Sequence, residues 1–345
     1  MKSGGKNMIN FKRIAYQMIV VVLILTLFSL AGCGGVPQTS VDNSGAGKQQ
    51  SLVKLKVGYP NGSLVREFFL QTAIDKGFFA KYGLEIDGKG YNVGGQIIQD
   101  LAGGNLDVGI VGPSASLAGA AQGVDLKIVA SIAKNNCPLV ARQGINSIKD
   151  LNGKKVGTPG VSSIQETMLN YLESQQGIKT SHIYANGADL VAYLEKGEID
   201  AIVAWEPIAA QSVSKLGAHY LLDTILPNAE AADMTVTGKL FRENPEVAVR
   251  LLKATQDTQR YIIANTAERV AIAAHLTGLS ESVISESVRR SSLFVATMQL
   301  NMDSIKLITS QDITAGKLRG VDPKGLDAFL TKNIDTTLLE KALNN

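Results

Sequence analysis

The stretch GGQIIQDLAGGNLDVGIVGPSASLAGAAQGVDLKIVASIA, residues 94–133, decides the fold class. Ile97, Ile98 and Leu101 recur at helical spacing after Gly94-Gly95, and Gly103-Gly104 ends that helix. Residues 106–111 then read as a strand, Gly112-Pro113-Ser114 as a turn, residues 115–122 as a helix and residues 126–133 as the next strand. Strands that alternate with helices lie in one sheet with helices on its faces, so an α/β fold with a parallel, helix-covered sheet is expected.

The pattern extends in both directions. Upstream, Val53, Leu55 and Val57 alternate with Lys54 and Lys56, the mark of a strand over 52–59. The turn Tyr59-Pro60-Asn61-Gly62-Ser63 leads into a helix ending near Asp75, and a second strand follows at 84–87. Downstream the architecture repeats without repeating sequence: a strand at 155–157, the turn Thr158-Pro159-Gly160-Val161-Ser162-Ser163, a helix over 164–175, and strands at 183–185, 199–205 and 216–222. From Pro245 onward the periodicity is helical. A chain of 345 residues exceeds one typical core and suits two modest lobes. We therefore divide the body into residues 52–139 (first lobe), 140–235 (second lobe) and 236–345 (a mostly helical part completing the first lobe).

Ahead of the body, Lys12 and Arg13 close a basic stretch, an apolar run occupies 14–30, and Leu30-Ala31-Gly32-Cys33 follows. A basic start, an apolar middle and small residues at the end make residues 1–32 a secretory signal; an uncleaved anchor is the alternative, since the run lies at the short limit for a span. Leu-Ala-Gly-Cys resembles the bacterial lipoprotein box, which implies cleavage before Cys33 and lipidation of its thiol. Residues 33–51, rich in Gly, Ser, Asn and Gln, then form a flexible tether. Of 34 basic residues four precede Cys33 and no acidic residue does, leaving 30 basic against 31 acidic. A near-neutral body lacks the electrostatic footprint of nucleic-acid binding, and that class is excluded. Cys137, the one remaining cysteine, has no partner for a disulfide and reads as a buried structural residue.

In open α/β sheets ligands bind beyond the carboxyl ends of strands, at the strand-to-helix turns. The candidate ligand contacts are therefore Asn61 and Ser63, Gly112 and Ser114, Gly160, Ser162 and Ser163, and Trp205 and Glu206. Each Gly-x-Ser turn has a plain alternative as a helix N-cap. Trp205-Glu206 has one as a packed indole followed by a capping carboxylate. Catalytic and metal motifs are missing: His182, His219 and His275 are scattered, Gly153-Lys154-Lys155 is no phosphate loop, and Gly88, Gly90 and Gly94 miss the dinucleotide spacing. No enzyme activity, metal or cofactor is expected.

Five segments in this order carry a resemblance: Val57-Gly58-Tyr59; Ile74-Asp75-Lys76-Gly77-Phe78-Phe79 with Tyr82-Gly83-Leu84; Gly103 to Gly109; Asp150 to Gly157; and Gly197-Glu198-Ile199-Asp200-Ala201 running into Trp205-Glu206-Pro207. Together they resemble the solute-binding receptors of bacterial ABC importers in the nitrate/sulfonate/taurine group, related to the thiamine-precursor-binding family. The resemblance implies a type II periplasmic-binding-protein fold, two α/β lobes joined by two crossover strands with a ligand cleft between. It further implies a monomer that binds a small organic anion or zwitterion, with Glu206 suited to the amine of taurine. Delivery would be to a permease driven by a cytoplasmic ATPase, from a lipid anchor on the outer face of the membrane. A ligand-sensing lipoprotein and a biosynthetic enzyme on the same fold are the alternatives.

Overall fold

The computed structural model describes residues 52–64, 69–290 and 297–344. The expected signal segment, Cys33 and the tether lie outside them. Among the described residues, ten strands form two five-stranded sheets: β1 (Val53–Pro60), β2 (Leu84–Tyr91), β3 (Val108–Val111), β4 (Leu126–Lys134), β5 (Leu139–Ala141), β6 (Lys155–Thr158), β7 (Ser181–Tyr184), β8 (Ala201–Val203), β9 (His219–Leu222) and β10 (Glu230–Thr237). The first sheet runs β2-β1-β3-β10-β4 and the second β7-β6-β8-β5-β9. Within the first, β1 is parallel to β2 and β3 while β10 is antiparallel to both neighbours. Within the second, β6 is parallel to β7 and β8 while β5 is antiparallel to β8 and β9.

The sheets are thus mixed, where the helix–strand alternation led us to expect parallel ones. Each antiparallel strand arrives from the other lobe: β5 enters the second sheet directly after β4, and β10 returns to the first directly after β9. The second crossing ends before Glu230, so all of β10 lies in the first sheet, although its residues 230–235 fall inside the 140–235 span that the sequence suggested for the second lobe. The two crossings run side by side. Asn135 N–H donates to the carbonyl of Ala229 at 3.1 Å, Ile225 N–H to that of Cys137 at 3.1 Å, and Asn228 N–H to Oδ1 of Asn135 at 2.5 Å. Two paired connections permit hinge-like rotation of one lobe against the other. Cys137 is buried at this crossing, and burial pushes its thiol pKa up, which keeps it unreactive.

Each lobe has its own apolar core. In the first, Leu55, Val57, Val108, Ile110 and Ile132 from the sheet meet Leu251 and Leu252 of the helix Pro245–Ala264. In the second, the two faces of the sheet bury Val156, Met168 and Leu169 on one side and Leu190, Ile202 and Ile208 on the other. Two C-terminal helices touch both lobes. Met302–Thr314 lies against Pro113–Ala121 of the first and Ile164–Gln176 of the second. Glu281–Arg290 puts Ile284 into the first core while lying along Ile208–Leu216 of the second.

Candidate functional site

Strand direction decides where polar side chains meet. Pro60 ends β1, Val111 ends β3, Pro159 directly follows β6 and Trp205 comes two residues after β8, and all four line one narrow cavity between the lobes. Its volume is about 60 Å³. A single water needs about 10–15 Å³, so the space seats a solute of a handful of non-hydrogen atoms. A larger open groove of about 630 Å³ lies on the C-terminal helices, lined by residues such as Met302, Leu330 and Leu343, and meets no strand end.

Three helices begin at this cavity. Gly94–Ala102 follows Val93, Pro113–Ala121 follows Gly112, and Ile164–Gln176 follows Ser163; Val93, Gly112 and Ser163 all line the space. Val93 and Gly112 make no side-chain cap, which leaves first-turn N–H groups for a ligand. Ser163 caps its own helix, accepting from Glu166 N–H at 3.1 Å and donating to the Gly160 carbonyl at 2.7 Å. Gly160 makes that turn possible with a φ of 142°, a conformation that side chains disfavour. Three positive dipole ends aimed at one small space favour an anionic or oxygen-rich ligand without any basic side chain.

The lobes touch across the cleft. The Trp205 indole N–H donates to the Gly62 carbonyl at 3.1 Å, and Ser114 Oγ bonds Thr167 Oγ1 at 3.0 Å. Gly112 faces Ile164 so closely that an added Cβ would stand 3.1 Å from the Ile164 Cγ2 and 3.2 Å from the Ala231 carbonyl oxygen. Thr167 in turn bonds Asp312 Oδ1 at 2.5 Å, and Lys317 pairs with Asp312 at 3.2 Å behind the contact.

Of the residues expected at the site, Ser63, Gly112, Ser162, Ser163 and Trp205 line the cavity. Ser63 is buried and its hydroxyl donates to the Pro60 carbonyl at 2.8 Å, whereas Ser162 is exposed on the rim. Asn61 sits outside, its Nδ2 donating to Asn92 Oδ1 at 3.2 Å. Ser114 and Gly160 act behind the lining, one as an interlobe contact and one as the turn acceptor. Glu206 is turned away altogether. Its carboxylate accepts from Ala210 N–H at 3.1 Å, capping the helix Ile208–Leu216, and from Tyr220 Oη at 2.8 Å. The expected pairing of Glu206 with a ligand amine therefore has no geometry here; successive residues past the strand end point to opposite sides, and the indole took the cleft side.

Three polar lining residues escaped the sequence reading: Asn92, Asn136 and Gln165. Asn92 follows β2, another strand end, and was within reach of the same rule. Gln165 lies one residue inside its helix and donates to the Asn136 carbonyl at 3.3 Å. Asn136 belongs to the first crossing, and no local pattern marks it.

Behind the Gly160–Ser163 turn, Glu166 accepts from Thr158 Oγ1 at 2.8 Å and bonds His182 Nδ1 at 2.7 Å, while His182 Nε2 lies 3.1 Å from Glu173. The hydrogen bonds to Glu166 and Glu173 hold the imidazole protonated, with a pKa pushed up to about 9. Burial opposes the charge of Glu166, but its bonds to His182 and Thr158 outweigh it and leave the carboxyl below its ordinary pKa.

Two strand-exchanged lobes closing on a small cavity at their strand ends define a periplasmic-binding-protein fold. The ligand-binding component of an ABC-type import system from Staphylococcus aureus shares it at a TM-score of 0.70 and 18% identity, over 84% of this chain and 98% of that one. So does the periplasmic aliphatic sulphonate binding protein of Escherichia coli, at 0.67 and 17% over 83% and 99%. The chain belongs to the NMT1/THI5-like family, whose model matches residues 68–269. A Bacillus subtilis (strain 168) protein named for the binding of aliphatic sulfonates is 25% identical over 346 aligned positions, 94% of this chain and 96% of its own.

Proposed function

We propose that this protein is the extracytoplasmic receptor of an ABC-type importer, which closes its two lobes on one small solute and delivers it to the permease. The observation that carries the reading is the convergence of four strand ends and three helix starts on a single small cavity between lobes that exchange strands. Closure is a population shift: a solute touching both lobes favours the closed form by the contacts it makes only there.

An aliphatic sulfonate suits the cleft best. Its oxygens match the helix starts and the neutral donors of Asn92, Asn136, Ser162 and Gln165, and its alkyl chain matches Val93, Val111, Ile164 and Ala231. The relatives named for sulfonate binding support the same class. With Glu206 turned inward, the ammonium of taurine gains no carboxylate from that residue, so plain alkanesulfonates should bind more tightly than taurine. A thermal-shift series on the full-length protein in detergent tests this, since a ligand of the folded state raises the melting temperature once its concentration exceeds Kd. Methane- to butanesulfonate should raise it dose-dependently, ahead of taurine, nitrate, bicarbonate and pyrimidines. A rise for a different class would replace the sulfonate assignment, and none for any would count against the receptor.

Lipidation at Cys33 completes the proposal, supported by Leu30-Ala31-Gly32-Cys33 directly after the apolar run. Two or three acyl chains hold a protein stably on a bilayer where one is marginal. Cys33→Ala should move the protein from the membrane fraction to the soluble one after export; unchanged membrane retention would remove the anchor from this account.

A further inference from the structure

Trp205 and Glu206 are neighbours in sequence that face opposite ways. The indole closes the cleft against Gly62 of the first lobe, while the carboxylate, 1% exposed with its residue, turns into the protein. There it collects bonds from two separate elements, Ala210 N–H of the helix it caps and Tyr220 Oη of β9, and faces Ser287, whose hydroxyl donates to the Val283 carbonyl at 3.0 Å. Its own N–H donates to Asn136 Oδ1 at 2.8 Å, and Asn136 lines the cavity from the first crossing. Ser287 belongs to Glu281–Arg290, the helix that stands in both lobes. At its end the Arg290 guanidinium stacks on the Tyr220 ring at 3.9 Å and pairs with Glu286 at 2.6 Å and with Asp223. A buried carboxyl held this way is sensitive to each partner, because a bond lost there is not replaced by water.

We propose that Glu206 is a positioning residue of the cleft, fastening the Trp205 turn to the helix Glu281–Arg290, so that the indole's seat on Gly62 and that helix's seat on the second lobe are set together. The purpose of this coupling rests on the receptor reading: a closed cleft becomes legible on an outer face, where the Arg289 side chain is 63% exposed. Glu206 touches no ligand in this arrangement; it acts through Trp205.

Trp205 is the only tryptophan of the chain, so intrinsic fluorescence reports its seat alone. The test is acrylamide quenching and emission maximum of the ligand-free, full-length protein in detergent, for the wild type, Glu206→Gln, Tyr220→Phe and Arg290→Ala. In each variant the population with an unseated indole should grow about fivefold on loss of one buried hydrogen bond or of the stack on Tyr220, raising quenching and moving emission to longer wavelength. Arg290→Ala is the decisive variant, since that side chain belongs to the helix Glu281–Arg290 and is on neither the cleft lining nor the Trp205 turn. Wild-type quenching and emission in both Arg290→Ala and Tyr220→Phe overturn the proposal, whatever Glu206→Gln does, and these two decide if Glu206→Gln does not fold. No solute is added, so a failure to find a ligand leaves this result standing on its own.

Discussion

At the scale of single residues, the cleft depends on side chains that are small or turned in one direction. Gly112 lets the first lobe come within van der Waals contact of Ile164 and the Ala231 carbonyl, and a methyl group there would demand a shift of a few tenths of an ångström from both. Opening of the lobes relieves the contact with Ile164, while the Ala231 carbonyl belongs to β10 of the same lobe and must give locally, so Gly112→Ala should act mainly on closure. We expect it to weaken solute binding by about tenfold, equivalent to about 1.4 kcal/mol, with the melting temperature of the ligand-free protein little changed. Calorimetric titration of both forms checks this; equal affinities would mean that closure does not bring Gly112 against the second lobe. Trp205 shows the complementary case, in which one large side chain supplies both an apolar wall and a hydrogen bond across the cleft.

Helices and strands place these residues, and here the sequence was informative unevenly. The strand-to-helix turns were legible because glycine, proline and serine punctuate them, and because strand direction alone says which end faces a ligand. The crossing strands were not. β5 is three residues long, and β10 carries Glu230 and Asp233, both buried, which break an apolar pattern. Glu230 is tolerated there because Ser131, the Asn301 N–H and Lys134 surround its carboxylate, partners remote in sequence. Glu206 was misread for the same reason: Tyr220, fourteen residues away in the chain, draws it inward. The element behind the Ser163 cap yields a pH prediction. His182 is raised to about 9 against an unfolded value near 6.5, so its contribution is fully present below about 6.5 and lost as pH rises through about 9. Glu166 and Glu173 are depressed, so theirs is present above the ordinary carboxyl range and lost as pH falls through the folded values. The melting-temperature difference between wild type and His182→Gln should therefore shrink steadily between pH 6.5 and 9.5. A constant difference would show that the histidine is not held charged.

For the whole molecule, the exchange of β5 and β10 makes each sheet depend on a strand delivered through a crossing, while the two crossings bond to one another. That arrangement keeps the lobes internally rigid and confines motion to the hinge, which is what a receptor that must hold and then release its cargo requires. A small solute bound between the lobes should therefore lie against Trp205. The most direct measurement is an equilibrium titration that follows the emission of that lone tryptophan while adding the solute that most raises the melting temperature. Binding there should give a saturable, single-site change in emission with a Kd matching the thermal shift, together with protection of the indole from acrylamide. A solute that stabilises the protein yet leaves Trp205 emission and quenching unchanged would bind elsewhere, and would contradict the cleft as the site.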